Sequence, residues 1–95
     1  MSTSADRAYR WLISGRVQAV GFRWFALRRA DELGIVGWAK NLADGRVEAV
    51  GRGATAALDA FDAALRKGPW HARVDNVEKE DIPHEQIDIK FFDTR

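Results

Sequence analysis

The sequence predicts an α+β fold, a ferredoxin-like split βαβ sandwich, from two observations. The chain has 95 residues and 46% of them are hydrophobic, which is enough for one small domain with a single core. Apolar residues recur with strand and helix periods in the order strand, helix, strand, strand, helix, strand, before a short extra C-terminal strand. This βαββαβ order predicts an antiparallel sheet with two helices on one face.

The first strand and the first helix flank a loop that is framed by glycines. Residues 1–7 are polar and are expected to form a flexible N-terminal tail before a single domain of residues 8–95. A strand is predicted over residues 8–14, with Trp11 and Ile13 on one face. A helix is predicted over residues 22–33, capped by Gly34. Its apolar face is expected to contain Phe22, Phe25, Ala26, Ala30 and Leu33.

A hairpin is predicted in the middle of the chain. Apolar runs over residues 35–42 and 46–52 flank an Ala-Asp-Gly turn at residues 43–45, and an Asp-Gly pair between two such runs is typical of a tight hairpin. A second helix is then predicted over residues 55–67, because Leu58, Phe61 and Leu65 fall on one helical face. Gly68 and Pro69 are expected to end it.

The last third of the chain predicts two further strands. One lies within residues 71–82, where Val74 and Val77 have opposite parity in a strict period of two, so we expect either a bulge or a late start of the strand. The alternation of Ile87, Ile89 and Phe91 predicts a short final strand.

Charge and composition exclude several classes of function. The formal net charge is +1, from 15 basic and 14 acidic residues, so no nucleic-acid partner is expected. The absence of cysteine excludes disulfides and thiolate chemistry. No apolar run approaches the roughly 20 residues of a membrane span, so we expect no membrane association and a cytoplasmic location.

The segment from Gly15 to Arg23, GRVQAVGFR, is the most informative in the chain. A glycine-framed turn that leads into a helix leaves backbone N–H groups unpaired, and these form an anion site with the positive end of the helix dipole. Arg23 stands in the first helical turn, where the dipole disfavours a cation. A bound anion would remove that conflict. A plain surface arginine after a glycine turn remains the alternative.

Asn41 is the second candidate, because asparagine is depleted from strands and this one ends a predicted strand. Its side-chain amide can donate to and accept from one water molecule, provided that it lies near the glycine-framed loop. The alternative is turn chemistry, since asparagine commonly precedes tight turns.

The other polar and aromatic residues predict no second site. His71 and His84 lie far apart with few neighbouring ligands, so no metal site is expected. Ser14 has no adjacent histidine, which argues against a hydrolase triad. The four tryptophans are expected to be core or half-buried packing residues, namely Trp11, Trp24, Trp38 and Trp70.

Two segments of the chain strongly resemble the signatures of the acylphosphatase family. Residues 15–25 resemble the family's phosphate loop, and residues 37–45 resemble its second signature, Gly-Trp-x-x-Asn-x-x-Asp-Gly. The resemblance continues through residues 65–69 and 72–74. It implies the sheet order 4-1-3-2 and hydrolysis of the carboxyl-phosphate bond of acyl phosphates to a carboxylate and inorganic phosphate. It also implies that Arg23 and Asn41 are the catalytic residues.

The resemblance assigns roles to a whole loop. Arg23 is expected to bind the phosphoryl oxygens and Asn41 to orient the attacking water, without cofactor or metal. The substrate is expected to be a small acyl phosphate, with inorganic phosphate or sulfate as competitors, and the protein a monomer. A non-catalytic anion-sensing or protein-interaction module on the same fold is the alternative. The phosphate-binding loop is expected to comprise Gly15, Arg16, Val17, Gln18, Ala19, Val20, Gly21 and Phe22.

The loop departs from the family at Ala19, where glycine is usual. If the backbone φ angle there is positive, alanine adds strain of about 1–2 kcal/mol. If φ is negative, alanine only removes conformational freedom from the unfolded chain. Trp70 is also bulkier than the usual residue, and the sequence assigns no function to it.

Overall fold

The computed structural model describes residues 6–95, and its elements follow the predicted order. Residues 1–5 of the predicted tail lie outside the described residues, and Arg7, also assigned to the tail, is the first residue of the first strand. The elements are β1 (Arg7–Arg16), α1 (Phe22–Leu33), β2 (Val36–Asn41), β3 (Val47–Gly53), α2 (Thr55–Lys67), β4 (Arg73–Asp81), a short 3-10 turn (His84–Gln86) and β5 (Phe92–Thr94).

The five strands form one sheet in the order β4-β1-β3-β2-β5, which confirms the expected 4-1-3-2 arrangement. The first four strands pair antiparallel, as predicted. β5 instead pairs parallel with β2, so the complete sheet is mixed. Both helices pack on one face of the sheet, where they share a core with Trp11 and Ile13 of β1 and with Ala49 of β3.

Of the two alternatives for the strand around Val74 and Val77, the bulge is correct, and it lies in β4. Ser14 of β1 pairs with Asn76, but Gly15 pairs with Val74, which leaves Asp75 as the extra residue. This insertion lets Val74 and Val77 pack against the same core although their sequence parity differs.

The predicted last strand is misplaced. Residues 87–91 are irregular, and the strand begins only at Phe92. Ile87 is buried against Ala8 and Val50 in a second, smaller cluster on the sheet face opposite the helices. Ile89 also packs against this cluster, whereas Phe91 is exposed, so the apolar spacing of Ile87 and Ile89 reflects packing onto that face and not pairing within the sheet.

Candidate active site

The loop between β1 and α1 begins at a close approach of two strands. Gly15 lies in β1 with φ 129°, and a Cβ atom there would collide with the main-chain oxygen of Arg73. The chain leaves the strand after Arg16 and enters α1 through Gly21, the helix N-cap, with φ 79°. Between these two glycines, Ala19 has a positive φ of 61°, so the backbone is strained at this alanine.

The loop amides form a set of free hydrogen-bond donors. Within residues 6–95, the backbone N–H groups of residues 18–21 donate to no protein acceptor. The N-cap Gly21 supplies no side-chain hydrogen bond, and the first turn of α1 holds no acidic residue. Unpaired amides at a helix N-terminus attract an anion, because the helix dipole adds positive potential there.

Gln18 connects this loop to the hairpin that carries Asn41. Its Nε2 donates to the main-chain oxygens of Leu42, at 2.8 Å, and Arg46, at 2.9 Å. Those two residues also share a backbone hydrogen bond, from Leu42 N to Arg46 O, at the mouth of the hairpin. Asn41 is the last residue of β2 and directly precedes Leu42, to which Gln18 is hydrogen-bonded. The Gln18 amide thus fixes the position of the loop relative to Asn41.

The Arg23 side chain is held by main-chain oxygen. Its Nη1 donates to the main-chain oxygen of Arg95 at 2.8 Å, and no carboxylate side chain in the described part of the chain pairs with it. Arg95 is itself fixed, because its backbone N–H donates to Ala39 O at 2.8 Å and its guanidinium lies 4.2 Å from the ring centroid of Trp38. One hydrogen bond leaves most of the guanidinium's five N–H donors available.

Arg23 and Asn41 line a common cavity of about 220 Å³. Of the predicted loop residues, Gly15, Arg16, Gln18 and Val20 do not line it. Two residues that the sequence did not single out for the site do line it, Trp24 and Thr94, and Arg95 holds Arg23 from beside them. The complete lining is Val17, Ala19, Gly21, Phe22, Arg23, Trp24, Asn41 and Thr94.

The missed residues reach the cavity for different reasons. The parallel pairing of β5 with β2 places Thr94 beside the cavity and Arg95 next to it. No local pattern in the sequence predicts this pairing. Trp24 follows Arg23 directly, but its exposed fraction of 61% contradicts the expectation of a packing residue. Trp70, at 91% exposed, contradicts it too, whereas Trp11 is fully buried.

The cavity lining contains no histidine or carboxylate. No cluster of three or more metal-ligating side chains occurs within residues 6–95. Over the same range, neither helix is long and apolar enough to cross a membrane. The polar groups that the cavity-lining residues carry are therefore backbone amides, the Arg23 guanidinium, the Asn41 carboxamide, the Thr94 hydroxyl and the Trp24 indole N–H.

Comparison with known proteins gives a consistent result. The family model described as Acylphosphatase matches residues 9–93. A curated acylphosphatase of Koribacter versatilis is 48% identical over 90 residues, which cover 95% of this chain and 81% of that protein. The solved structure of an acylphosphatase from Coxiella burnetii is similar with a TM-score of 0.87 at 35% identity, over 95% of this chain and 93% of that one. The acylphosphatase structure from Bacillus subtilis gives 0.88 at 34% identity, over 94% and 98%.

Proposed function

This chain belongs to the acylphosphatase family, and we propose that the loop at residues 17–21, Arg23 and Asn41 form the site at which it hydrolyses acyl phosphates. The observation that carries the proposal is that three kinds of group line one cavity of about 220 Å³: a loop with free amides, a carboxamide, and a guanidinium that no aspartate or glutamate side chain of residues 6–95 pairs with. Each group matches one need of the reaction: anion binding, charge stabilisation and orientation of water.

The loop amides and Arg23 bind the phosphoryl group. The N–H groups of residues 18–21 surround its oxygens, and the planar fork of Arg23 donates two parallel hydrogen bonds. The hydrogen bond from Arg23 to Arg95 keeps the fork oriented before substrate arrives. Phosphoryl transfer depends mainly on position and electrostatics, because its transition state is loose, so such a preorganised cradle supplies most of what the reaction requires.

Asn41 orients the attacking water in line with the bond that breaks. Its carboxamide both donates and accepts, so it can fix one water molecule in a single orientation. An amide does not take up a proton at neutral pH, and no histidine or carboxylate lines the cavity. The proton of the attacking water therefore passes to a phosphoryl oxygen of the substrate.

The leaving group needs no acid. The departing carboxylate has a conjugate acid with a pKa of about 4, so it leaves as the anion at neutral pH. The products are the free carboxylate and inorganic phosphate. Phosphate fits the same cradle as the substrate, so inorganic phosphate and sulfate should compete with it.

Hydrolysis of acetyl phosphate in the presence of a chelator tests this proposal. We expect turnover that EDTA leaves unchanged and that inorganic phosphate inhibits competitively. Loss of activity in EDTA with recovery on adding a divalent metal would overturn the metal-free mechanism, and non-competitive inhibition by phosphate would overturn the shared cradle. The expectations of a monomer and of a cytoplasmic location belong to this proposal, and gel filtration and cell fractionation test them.

A further inference from the structure

Thr94 brings a hydroxyl group to the cavity that the proposed mechanism does not use. The residue lines the cavity together with Arg23 and Asn41. Within residues 6–95, its side chain makes no hydrogen bond to another protein group. A hydroxyl both donates and accepts, so Thr94 offers both functions beside the two residues assigned to the reaction.

The register of the sheet places Thr94 on the same face as Asn41. β5 pairs parallel with β2, and Thr94 is the partner of Ala39. Ala39 and Phe92 are both buried in the core that the helices cover. Side chains two residues apart on a strand point to the same face, so Asn41 shares the face of Ala39 and Thr94 shares that of Phe92. The two polar side chains therefore stand on neighbouring strands at the helix side of the sheet.

The spacing of these two side chains fits a bridging water molecule. Neighbouring strands lie about 4.8 Å apart and two residues advance a strand by about 6.6 Å, so the Cα atoms of Asn41 and Thr94 are about 8 Å apart. No hydrogen bond joins the two side chains directly among the described residues. One water molecule spans a gap of this size between two polar groups.

The position of Arg23 shows which side of the phosphoryl group Thr94 faces. Arg23 Nη1 donates to the main-chain oxygen of Arg95, the residue after Thr94, at 2.8 Å. The same end of β5 therefore lies beside both the phosphoryl-binding guanidinium and Asn41. In an in-line displacement the water and the leaving group occupy opposite sides of phosphorus. Because Thr94 neighbours Asn41, its hydroxyl lies on the side of the water.

The attacking water needs two partners besides the substrate. One of its lone pairs points at phosphorus, and one of its protons passes to a phosphoryl oxygen. The remaining proton requires an acceptor and the remaining lone pair requires a donor. The oxygen and the nitrogen of one carboxamide point in diverging directions, so partners on two strands give straighter hydrogen bonds than a single carboxamide.

We propose that Thr94 is a third catalytic residue, whose hydroxyl holds the attacking water together with Asn41. The inference rests on the proposed function, because it takes Asn41 as the partner of that water. The water oxygen forms the new bond to phosphorus, one water proton moves to a phosphoryl oxygen, and the bridging bond breaks with its electron pair on the leaving carboxylate. Thr94 keeps its own proton throughout and only orients the water.

Thr94→Val tests the hydroxyl, because valine keeps the branched shape and the strand preference of threonine. We expect kcat for acetyl phosphate to fall about three- to tenfold, the loss of one hydrogen bond, with the inhibition constant of phosphate within about twofold. Thr94→Ser should retain most of the parent's kcat. Thr55→Val is the matched control, because Thr55 is exposed at the start of α2 and does not line the cavity. A normal kcat in Thr94→Val, or a loss of phosphate binding equal to the loss of kcat, would overturn the proposal.

A double-mutant cycle with Asn41→Ala tests whether the two residues hold the same water. Side chains that share one partner have non-additive effects, so Thr94→Val should lower kcat less than about twofold once Asn41 is alanine. The full three- to tenfold loss in the Asn41→Ala background would mean that Thr94 acts elsewhere, and would overturn the shared water.

A binding measurement separates this inference from the proposed function. Orthovanadate takes up a fifth oxygen ligand where the water attacks phosphorus, whereas inorganic phosphate stays tetrahedral, so the ratio of their affinities reports on the water position without turnover. Calorimetry should show that Thr94→Val lowers the vanadate-to-phosphate ratio by about threefold or more, and an unchanged ratio would overturn the role of Thr94. A parent protein that binds both anions but does not hydrolyse acetyl phosphate would overturn the proposed function, and the ratio would still decide whether Thr94 holds the water.

Discussion

Two arginines of this fold, Arg10 and Arg23, occupy opposite electrostatic situations. Arg10 of β1 donates to Glu48 through Nε and to Glu80 through Nη1, both at 2.7 Å. These hydrogen bonds raise the pKa of Arg10 above its ordinary value, and the bond to Glu48 has the larger effect of the two. Among the described residues, the Arg23 side chain donates to one acceptor, the main-chain oxygen of Arg95 at 2.8 Å, and Arg23 stands in the first turn of a helix that has no acidic residue there.

Arg10 is a cation that stabilises the fold, whereas Arg23 is a cation positioned to bind an anionic ligand. At Arg10 the fold supplies two carboxylates, and Glu48 is buried among its partners. At Arg23 the fold supplies a fixed position, and within residues 6–95 no aspartate or glutamate side chain pairs with the guanidinium, so the helix dipole and the loop amides add their positive potential to its own. Substitution of the first should therefore affect stability, and substitution of the second should affect activity.

The largest effect is expected for Arg23→Ala. Loss of the guanidinium removes charge stabilisation from the transition state, so kcat/KM for acetyl phosphate should fall about 100- to 1,000-fold. Arg23→Lys should recover little, because a point charge does not reproduce the planar fork. Urea denaturation should give nearly the parent's stability. A folded Arg23→Ala protein with near-normal turnover and phosphate inhibition would contradict the assignment.

Asn41 is expected to affect kcat more than phosphate binding. Asn41→Ala should lower kcat about 100-fold through loss of the oriented water, with little change in the inhibition constant of phosphate. Asn41→Asp should be at least as inactive and should bind phosphate more weakly, since it places a negative charge beside a dianion. Steady-state kinetics with phosphate as the inhibitor measures kcat and the inhibition constant of phosphate for each variant. An Asn41→Asp protein faster than the parent would mean that the water needs a general base.

Arg10→Met tests the other side of the comparison. Within residues 6–95, the substitution leaves the buried Glu48 carboxylate with Lys40 Nζ, at 3.9 Å, and Trp38 Nε1, at 3.4 Å, as its remaining partners. We expect a loss of about 1–3 kcal/mol in the free energy of unfolding by urea, with kcat/KM within twofold of the parent. Arg10→Met combined with Glu48→Met should recover part of the loss. A tenfold fall in kcat/KM would show that Arg10 also serves the site.

Ala19→Gly should stabilise the loop slightly. Ala19 has φ 61°, a left-handed conformation that costs a residue with a Cβ atom about 1–2 kcal/mol. Glycine adopts the same conformation without this strain. Glycine returns about 0.4–1 kcal/mol of freedom to the unfolded chain, so the net gain should be about 0.5 kcal/mol. Urea denaturation measures it, with Ala43→Gly as the control, because Ala43 is an exposed turn residue whose φ is not positive. Destabilisation by Ala19→Gly equal to that of the control would contradict strain at Ala19.

The sequence predicted most of this fold because its signals are local. Hydrophobic periodicity located both helices, and the Asp-Gly pair located the hairpin. The parity of Val74 and Val77 indicated an irregularity, a bulge or a late strand start, and the structure has the bulge. For the candidate site, the sequence pointed to one loop and one strand end, and Arg23 and Asn41 from these two segments line one cavity. Thr94 and Arg95 were not predicted, because their place depends on a parallel pairing of only three residues with a distant strand.

Asp44 provides the smallest expected effect and extends the comparison to a carboxylate near the site. Arg46 donates twice to the Asp44 carboxylate: its backbone N–H to Oδ1 at 3.1 Å, and its side-chain Nε to Oδ2 at 2.9 Å. These interactions lower the pKa of Asp44, and the backbone hydrogen bond is the largest cause. A carboxyl whose pKa is lower in the folded state stabilises the fold above its unfolded pKa, about 3.9. That stabilisation is lost as the pH falls through the folded pKa.

Asp44→Asn should therefore be less stable than the parent at pH 7, and the difference should shrink as the pH falls below about 4. Asparagine keeps the turn propensity of aspartate, so the comparison isolates the charge. Urea midpoints of both proteins between pH 2.5 and pH 7 measure it. Asp59→Asn is the control, because Asp59 is exposed on α2 and has no ion-pair partner within residues 6–95. A difference that grows on acidification would mean that the Asp44 carboxylate does not stabilise the hairpin.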